Sequence, residues 1–402
     1  MRPRSKPGLR ALACAALLSM GAAACTSSGR NDTVAEVPPV PVTNRFQLRT
    51  DLRRLWTDRV VWTRVFIIDT LAGLPDTQAA TDRLLRNQDE IGNTLRPFYG
   101  DVAADQLTQL LRDDVQIAGE VVRALRDAQL DDAADADARW TMNADGIAVF
   151  LADANPTWGF ADVRALMRAH LDQTAAEIRA RIDGRWDVDV RTYDEVVVHA
   201  RVIADTLASG IYVQHPELVS TLPAPSPDDE ALQLRMRELW EDHVSWTRFF
   251  VIAELAKLPD AGFGAARLLR NQDDLGGAVK PFYGRAAGEA LAALLRVHVT
   301  TAAELVDAVR DGVEAAAADA SARWYANADR IAALLASVNP LWRRAELEAL
   351  MRTHLDRTVE EVSARVRGDW AADVVAYDAI VEHILRVADT LSGGISDQIS
   401  IQ

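Results

Sequence analysis

Leu55-Trp56-Thr57-Asp58-Arg59-Val60-Val61-Trp62-Thr63-Arg64 returns 184 residues later as Leu239-Trp240-Glu241-Asp242-His243-Val244-Ser245-Trp246-Thr247-Arg248. In both copies the aromatic and apolar positions step by three and four, the spacing of one helix face. Arg83 to Asp89 returns as Arg267 to Asp273, and Pro97-Phe98-Tyr99-Gly100 as Pro281 to Gly284, at the same offset. Between Leu52 and Gly210, 81 of 159 positions are identical to their partners 184 residues on, without a gap. Helix and loop lengths cannot drift without breaking such a match. The chain therefore reads as two tandem homologous domains rather than a solenoid of short repeats.

Outward from that stretch the helical period persists. Trp240, His243, Thr247, Phe250 and Glu254 form one stripe, and Leu291, Leu295, His298, Ala302 and Leu305 a second. Leu347, Met351, His354 and Thr358 form a third, and Tyr377, Ile380, His383 and Val387 a fourth. Breaks fall at Leu258-Pro259-Asp260, Pro281 to Gly284, Asp311-Gly312, Val338-Asn339-Pro340 and Gly368, and no run of alternating β-branched residues occurs. The expectation is an all-α protein of two tandem bundles, about six helices each. Residues 47–216 are the first bundle and residues 231–398 the second. Residues 217–230, with Pro223, Pro225 and Pro227, are the linker between them.

The first residues have a different character. Arg2, Arg4, Lys6 and Arg10 precede a short run of small apolar residues that ends Gly21-Ala22-Ala23-Ala24-Cys25. That run is too short to span a bilayer and predicts a signal peptide over residues 1–24. Its end resembles a bacterial lipoprotein box, with Ala22 where such boxes usually carry Leu. Cys25 is then the lipidated residue, and residues 25–46, with Pro38, Pro39 and Pro41, are a tether to the membrane. Ordinary cleavage after Ala24 is the other reading. Of two cysteines one leaves with the signal, so no internal disulfide is expected. Lysines number three, at positions 6, 257 and 280, against a large excess of arginine, a bias of GC-rich bacterial genomes. The formal charge of −15 offers no basic footprint for a phosphate backbone, so nucleic acid is not an expected partner.

The chain has no Gly-rich phosphate loop, G-x-S-x-G elbow, H-E-x-x-H or C-x-x-C. Asp131 to Asp137 lacks the glycine and terminal Glu of a calcium loop and suits a solvated helix start. What remains is histidine. His243, His298, His354 and His383 lie on the apolar stripes of four different helices of the second copy. Converging imidazoles in a bundle core are a candidate site for copper, zinc or iron. The plainer reading is four separate histidines, each satisfied by its own carbonyl or carboxylate.

The first copy supplies a comparison, with Arg59, Asp114, His170 and His199 at the matching positions. A cation and an anion have replaced two histidines together. A buried Arg needs a carboxylate, so Arg59 and Asp114 are expected to face each other as a salt bridge in a degenerate counterpart of the site. Gln272, Asn327, Asp329 and Asp378 are candidate hydrogen-bonding supports around the histidines. The five Trp of each copy are expected in the core, their N–H groups satisfied by the paired amides.

The L-W-x-x-H-V-x-W-T-R, R-L-L-R-N-Q-D-D, P-F-Y-G, W-Y-x-N-A-D, N-P-x-W and H-L-D-x-T elements resemble a family of secreted bacterial all-helical proteins of uncharacterised function. Some of its members carry the name glycosyltransferase by automatic transfer. The resemblance covers residues 47–210 and 232–394 and implies an extracytoplasmic location. A glycosyltransferase needs an α/β nucleotide-binding core or a polytopic membrane domain, and the sequence shows neither. Three functions follow as expectations. The first is a membrane-tethered binding or scaffold module of the cell envelope, with an unidentified envelope partner and no assigned catalysis. The second is a transition-metal-binding protein using the second-copy histidines. The third is an enzyme using the same histidines with Asp378.

Overall fold

The computed structural model describes residues 44–219 and 224–401. The predicted signal, Cys25, most of the tether and Pro223 lie outside the described residues. The described chain is all-α, with ten helices and no strand among the described residues. Helices α1 (Arg45–Ala72), α2 (Thr77–Arg126), α3 (Leu130–Ala154), α4 (Phe160–Ile182) and α5 (Trp186–Gln214) build one compact unit. Helices α6 (Pro227–Leu255), α7 (Ala261–Asp311), α8 (Glu314–Val338), α9 (Arg344–Arg367) and α10 (Trp370–Ile401) build the other, with the division after Glu230.

The expected six helices are present in each unit, two of them running end to end through one non-helical glycine. In α2 the backbone leaves the helix at Gly100 (φ 77°, ψ 175°), three residues after Pro97, and in α7 at Gly284 (φ 80°, ψ 168°). That conformation is open to glycine and closed to side chains with a Cβ. Each long rod is thus two helical arms joined without a loop. Local sequence sets the other ends. Asn44 caps α1 by accepting the Gln47 N–H at 2.9 Å, and Gly73, Gly312 and Gly368 close α1, α7 and α9 in the left-handed region. The acidic run sits where the dipole favours it, with Asp131 and Asp132 in the first turn of α3.

In the first unit α1 packs on α2 and α5, α3 on α2 and α4, and α4 on α5, so the five rods close into a ring. Of the described helices, α5 alone has the length and apolar content to cross a membrane, and 56% of that stretch is buried in the protein. Trp56, Trp62, Trp140 and Trp158 fill the first core, and Trp240, Trp246, Trp324 and Trp342 the second. Their polar atoms do not follow the expectation of amide partners. Trp140 donates to Asp114 Oδ1 at 2.8 Å and Trp158 to the Thr206 carbonyl at 3.1 Å. The indole nitrogens of Trp56, Trp240, Trp324 and Trp342 are buried without a hydrogen bond. The paired amides are engaged with backbone carbonyls instead, as in Asn87 to Leu55 O and Asn271 to Leu239 O.

Each core also holds a charge network. Arg64 pairs with Glu177 (2.6 Å) and Asp189 (2.7 Å), Arg181 joins Asp189 (3.0 Å), and Tyr193 lies under the Arg64 guanidinium at 4.8 Å. In the second unit Arg248, Glu361, Asp373, Arg365 and Tyr377 repeat the pattern. Asp189 is fully buried there and serves as a structural anion.

Candidate metal centre in the second unit

His243 on α6, His298 on the second arm of α7 and His354 on α9 meet in the core of the second unit, with 1%, 4% and 3% exposure. One ring nitrogen from each lies within 4.8 Å of the other two, the one such group of three among the described residues. The ring centroids form a nearly equilateral triangle, 6.0 Å from His243 to His298, 5.6 Å from His243 to His354 and 5.9 Å from His298 to His354. Three helices fix the three vertices, so the triangle does not depend on a loop.

The surroundings hold the rings neutral. Burial, aided by the neighbouring His298, pushes His243 down to about 3. Burial and His354 do the same to His298, against a smaller opposing effect of the Asn327 amide. Burial, His243 and His383 drive His354 well below the usual imidazole range. A neutral imidazole has one lone pair to offer a metal. The Nδ1 atoms of His298 and His354 are buried without a hydrogen-bond partner.

Gln272 approaches the third ring, its Nε2 3.2 Å from His243 Nδ1. Both Gln272 N–H groups are already used, by Leu268 O at 2.7 Å and Asn271 Oδ1 at 3.1 Å, and Gln272 Oε1 is buried without a partner. Trp324 lies 5.2 Å from His298 and Trp240 5.7 Å from His243, closing two sides. On another side is an apolar chamber of about 30 Å³, lined among others by Phe250, Val251, Leu305, Val306 and Val362. It has room for about one or two waters, and no carboxylate lines it.

Three sequence expectations need correction. His383 does not join the triangle, because its Nε2 lies 2.9 Å from the Leu350 carbonyl, which fixes the ring against the backbone of α9. Asp329 is drawn outward by Arg352 at 2.6 Å and does not support a histidine. Asp378 is half-buried and does not line the chamber. Stripe periodicity places a residue on a face; it does not say which nitrogen a neighbouring carbonyl will claim, or whether an arginine on the next helix will take a carboxylate.

The counterpart in the first unit differs as its residues demand. Arg59 and Asp114 form an ion pair, and the other Arg59 nitrogen donates to Gln88 Oε1, the atom whose equivalent is unpaired in the second unit. Burial lowers Arg59 and raises Asp114, and their mutual attraction opposes both effects. His170 is pushed down to about 3 by burial, Arg59 and His199. His199 stacks on it at 6.1 Å, with its Nε2 2.8 Å from the Leu166 carbonyl. A guanidinium replaces one imidazole beside a chamber of about 30 Å³ like that of the second unit, and Arg59 has no lone pair for a metal.

Sequence reasoning missed the buried Arg64 and Arg248 networks. The signal was present, since every one of their charged members is identical between the copies. The chain matches no protein-family model, no curated protein and no solved structure.

Proposed function

We propose that this is a metal-binding protein of the bacterial cell envelope, holding one transition-metal ion on His243, His298 and His354. One observation carries the reading: three neutral, buried imidazoles on three helices, each with a ring nitrogen within 4.8 Å of the others. Neutral imidazole suits copper, zinc and iron, and Gln272, with its Nε2 3.2 Å from His243 Nδ1, stands where metal-bound histidines commonly have an orienting neighbour. In this reading the two units descend from one duplicated domain, and the first has exchanged the site for the Arg59–Asp114 pair. Metal analysis of the purified protein tests it. About one equivalent per chain, lost in His298→Ala and kept in His170→Ala, is the expected result. Equal metal content in wild type and His298→Ala would refute it.

The envelope location rests on the basic head, the short apolar run and Cys25. Lipidation at Cys25 tethers the helical units to the outer face of the cytoplasmic membrane. Cell fractionation of Cys25→Ala is the test, and a variant that stays with the membrane as firmly as wild type would end this part of the reading. The plain binding or scaffold module is the same tethered protein without the ion. No observation favours an enzyme, since Asp378, the acid required, is away from the chamber.

A further inference from the structure

We infer that the three-histidine centre is built for a monovalent, three-coordinate ion, cuprous copper. The inference rests on the metal-binding reading above and adds the charge and geometry of the ion.

Charge is the first argument. All three donors are neutral, and neither a carboxylate nor a thiolate lines the chamber. The electrostatic cost of burying an ion rises with the square of its charge, so a bare divalent ion costs about four times as much as a monovalent one. The first unit shows what this fold does with one fixed positive charge at the same place, because Arg59 there is met by Asp114. The second unit supplies no such anion. The smallest charge that imidazoles ligate costs least there.

Geometry is the second. A metal–nitrogen bond of about 2.0–2.1 Å puts an imidazole centre about 3.1–3.2 Å from the ion. A trigonal plane then separates ring centres by about 5.5 Å, and a tetrahedron by about 5.2 Å, on the same bond length. The observed sides of 5.6, 5.9 and 6.0 Å exceed both values, and the ring nitrogens, within 4.8 Å of one another, close to about 3.5 Å around an ion by ring rotation and small helix shifts; three donors complete a trigonal plane and leave a tetrahedron one ligand short.

The vacant side is the third. A divalent zinc on three histidines keeps a water or anion in the fourth position. A bound water needs two to four polar partners; the chamber is walled mainly by residues such as Phe250, Val251, Leu305, Val306 and Val362, and of its hydroxyls, on Thr247, Thr358 and Ser363, the two threonines spend their protons on the His243 and His354 carbonyls. Three-coordinate cuprous copper asks for no fourth ligand.

The test uses the full-length protein, purified metal-free and handled anaerobically. Cuprous ion is titrated against a chromophoric cuprous chelator, and zinc against a zinc indicator, with X-ray absorption on the copper-loaded form. The expected result is one cuprous ion with three nitrogen neighbours, bound about two orders of magnitude more tightly than zinc. The variant His298→Asp places a carboxylate at the position Asp114 holds in the first unit, here without that unit's Arg59, so circular dichroism first establishes that it folds, and the wild-type comparison of the two ions stands without it. In that variant the preference should reverse, with cuprous affinity falling at least about tenfold and zinc gaining. Zinc bound as tightly as cuprous ion by wild type, or an unchanged preference in His298→Asp, overturns the cuprous assignment while the histidine site stands. Absence of any bound metal overturns both readings.

Discussion

At the scale of single residues, what each unit can hold turns on two positions. Arg59 and Asp114 fill in the first unit the volume that His243 and His298 fill in the second. Removing one member of a buried ion pair leaves the other charge stranded. Asp114→Ala strands the Arg59 guanidinium and also deprives the Trp140 indole of its acceptor. It should cost about 3–5 kcal/mol, read as faster hydrogen exchange in α1 and α2 and a lower urea midpoint. Replacing both members does the opposite. Arg59→His with Asp114→His, beside the native His170, recreates three imidazoles on the three equivalent helices. Metal content should rise from about one to about two equivalents per chain. A stoichiometry that stays at one in a folded double variant would show that the triangle alone does not make the site. This pairing was legible before the fold was known, because two substitutions of opposite charge in otherwise matching copies have few explanations other than contact. The loss of His383 was not. Its stripe position equals that of the other three, and only the Leu350 carbonyl on α9 distinguishes it.

At the scale of elements, the bent rods set the geometry. Pro97 and Gly100 in α2, and Pro281 and Gly284 in α7, end one arm and start the next without a loop. Sequence read these tetrapeptides as breaks between separate helices. The backbone leaves the helix at one glycine and resumes it at once, so the five elements of each unit hold the six helices expected and the break has no loop of its own. Gly284→Ala forces a Cβ into a region almost exclusive to glycine and should cost about 1–3 kcal/mol. Gly277→Ala is the control. It sits in the helical first arm with open space where its Cβ would go, and should be neutral or stabilising by up to about 1 kcal/mol. Urea midpoints of the two variants should move in opposite directions, or only the first should move. Equal losses would mean that the bend is not where the strain lies. The second arm of α7 carries His298, so the Gly284 variant should also weaken metal binding if the bend aims that arm.

At the scale of the whole molecule, the two all-α units should differ in their response to acid. In the metal-free protein His243 and His298 are held near 3, and His354 well below its usual value, all chiefly by burial. Their unfolded counterparts titrate near 6.5, so below that pH the unfolded state takes up protons that the folded state refuses. Their contribution is complete above about pH 6.5 and is lost as pH falls toward 3, at about 1.4 kcal/mol per pH unit for each histidine. In the first unit His170 alone is pushed down to about 3, since Arg59 and Asp114 stand in for the other two. The glutamates act in the opposite sense. Glu177 and Glu361 are each raised by burial to about 7, so they add stability as pH falls from 7 toward 4.5, but both units have one and the effect cancels in the comparison. Between pH 6.5 and 5 the second unit should therefore weaken first. Segment-resolved hydrogen exchange at pH 7 and pH 5 measures this, with exchange in α7 and α9 accelerating well before exchange in α2 and α4. A ligated ion holds its imidazoles unprotonated, so one equivalent of metal should move the acid response of α7 and α9 to lower pH and leave α2 and α4 unchanged. Acid loss that is equal in both units, or metal protection that extends equally to α2 and α4, would contradict the assignment of the site to the second unit.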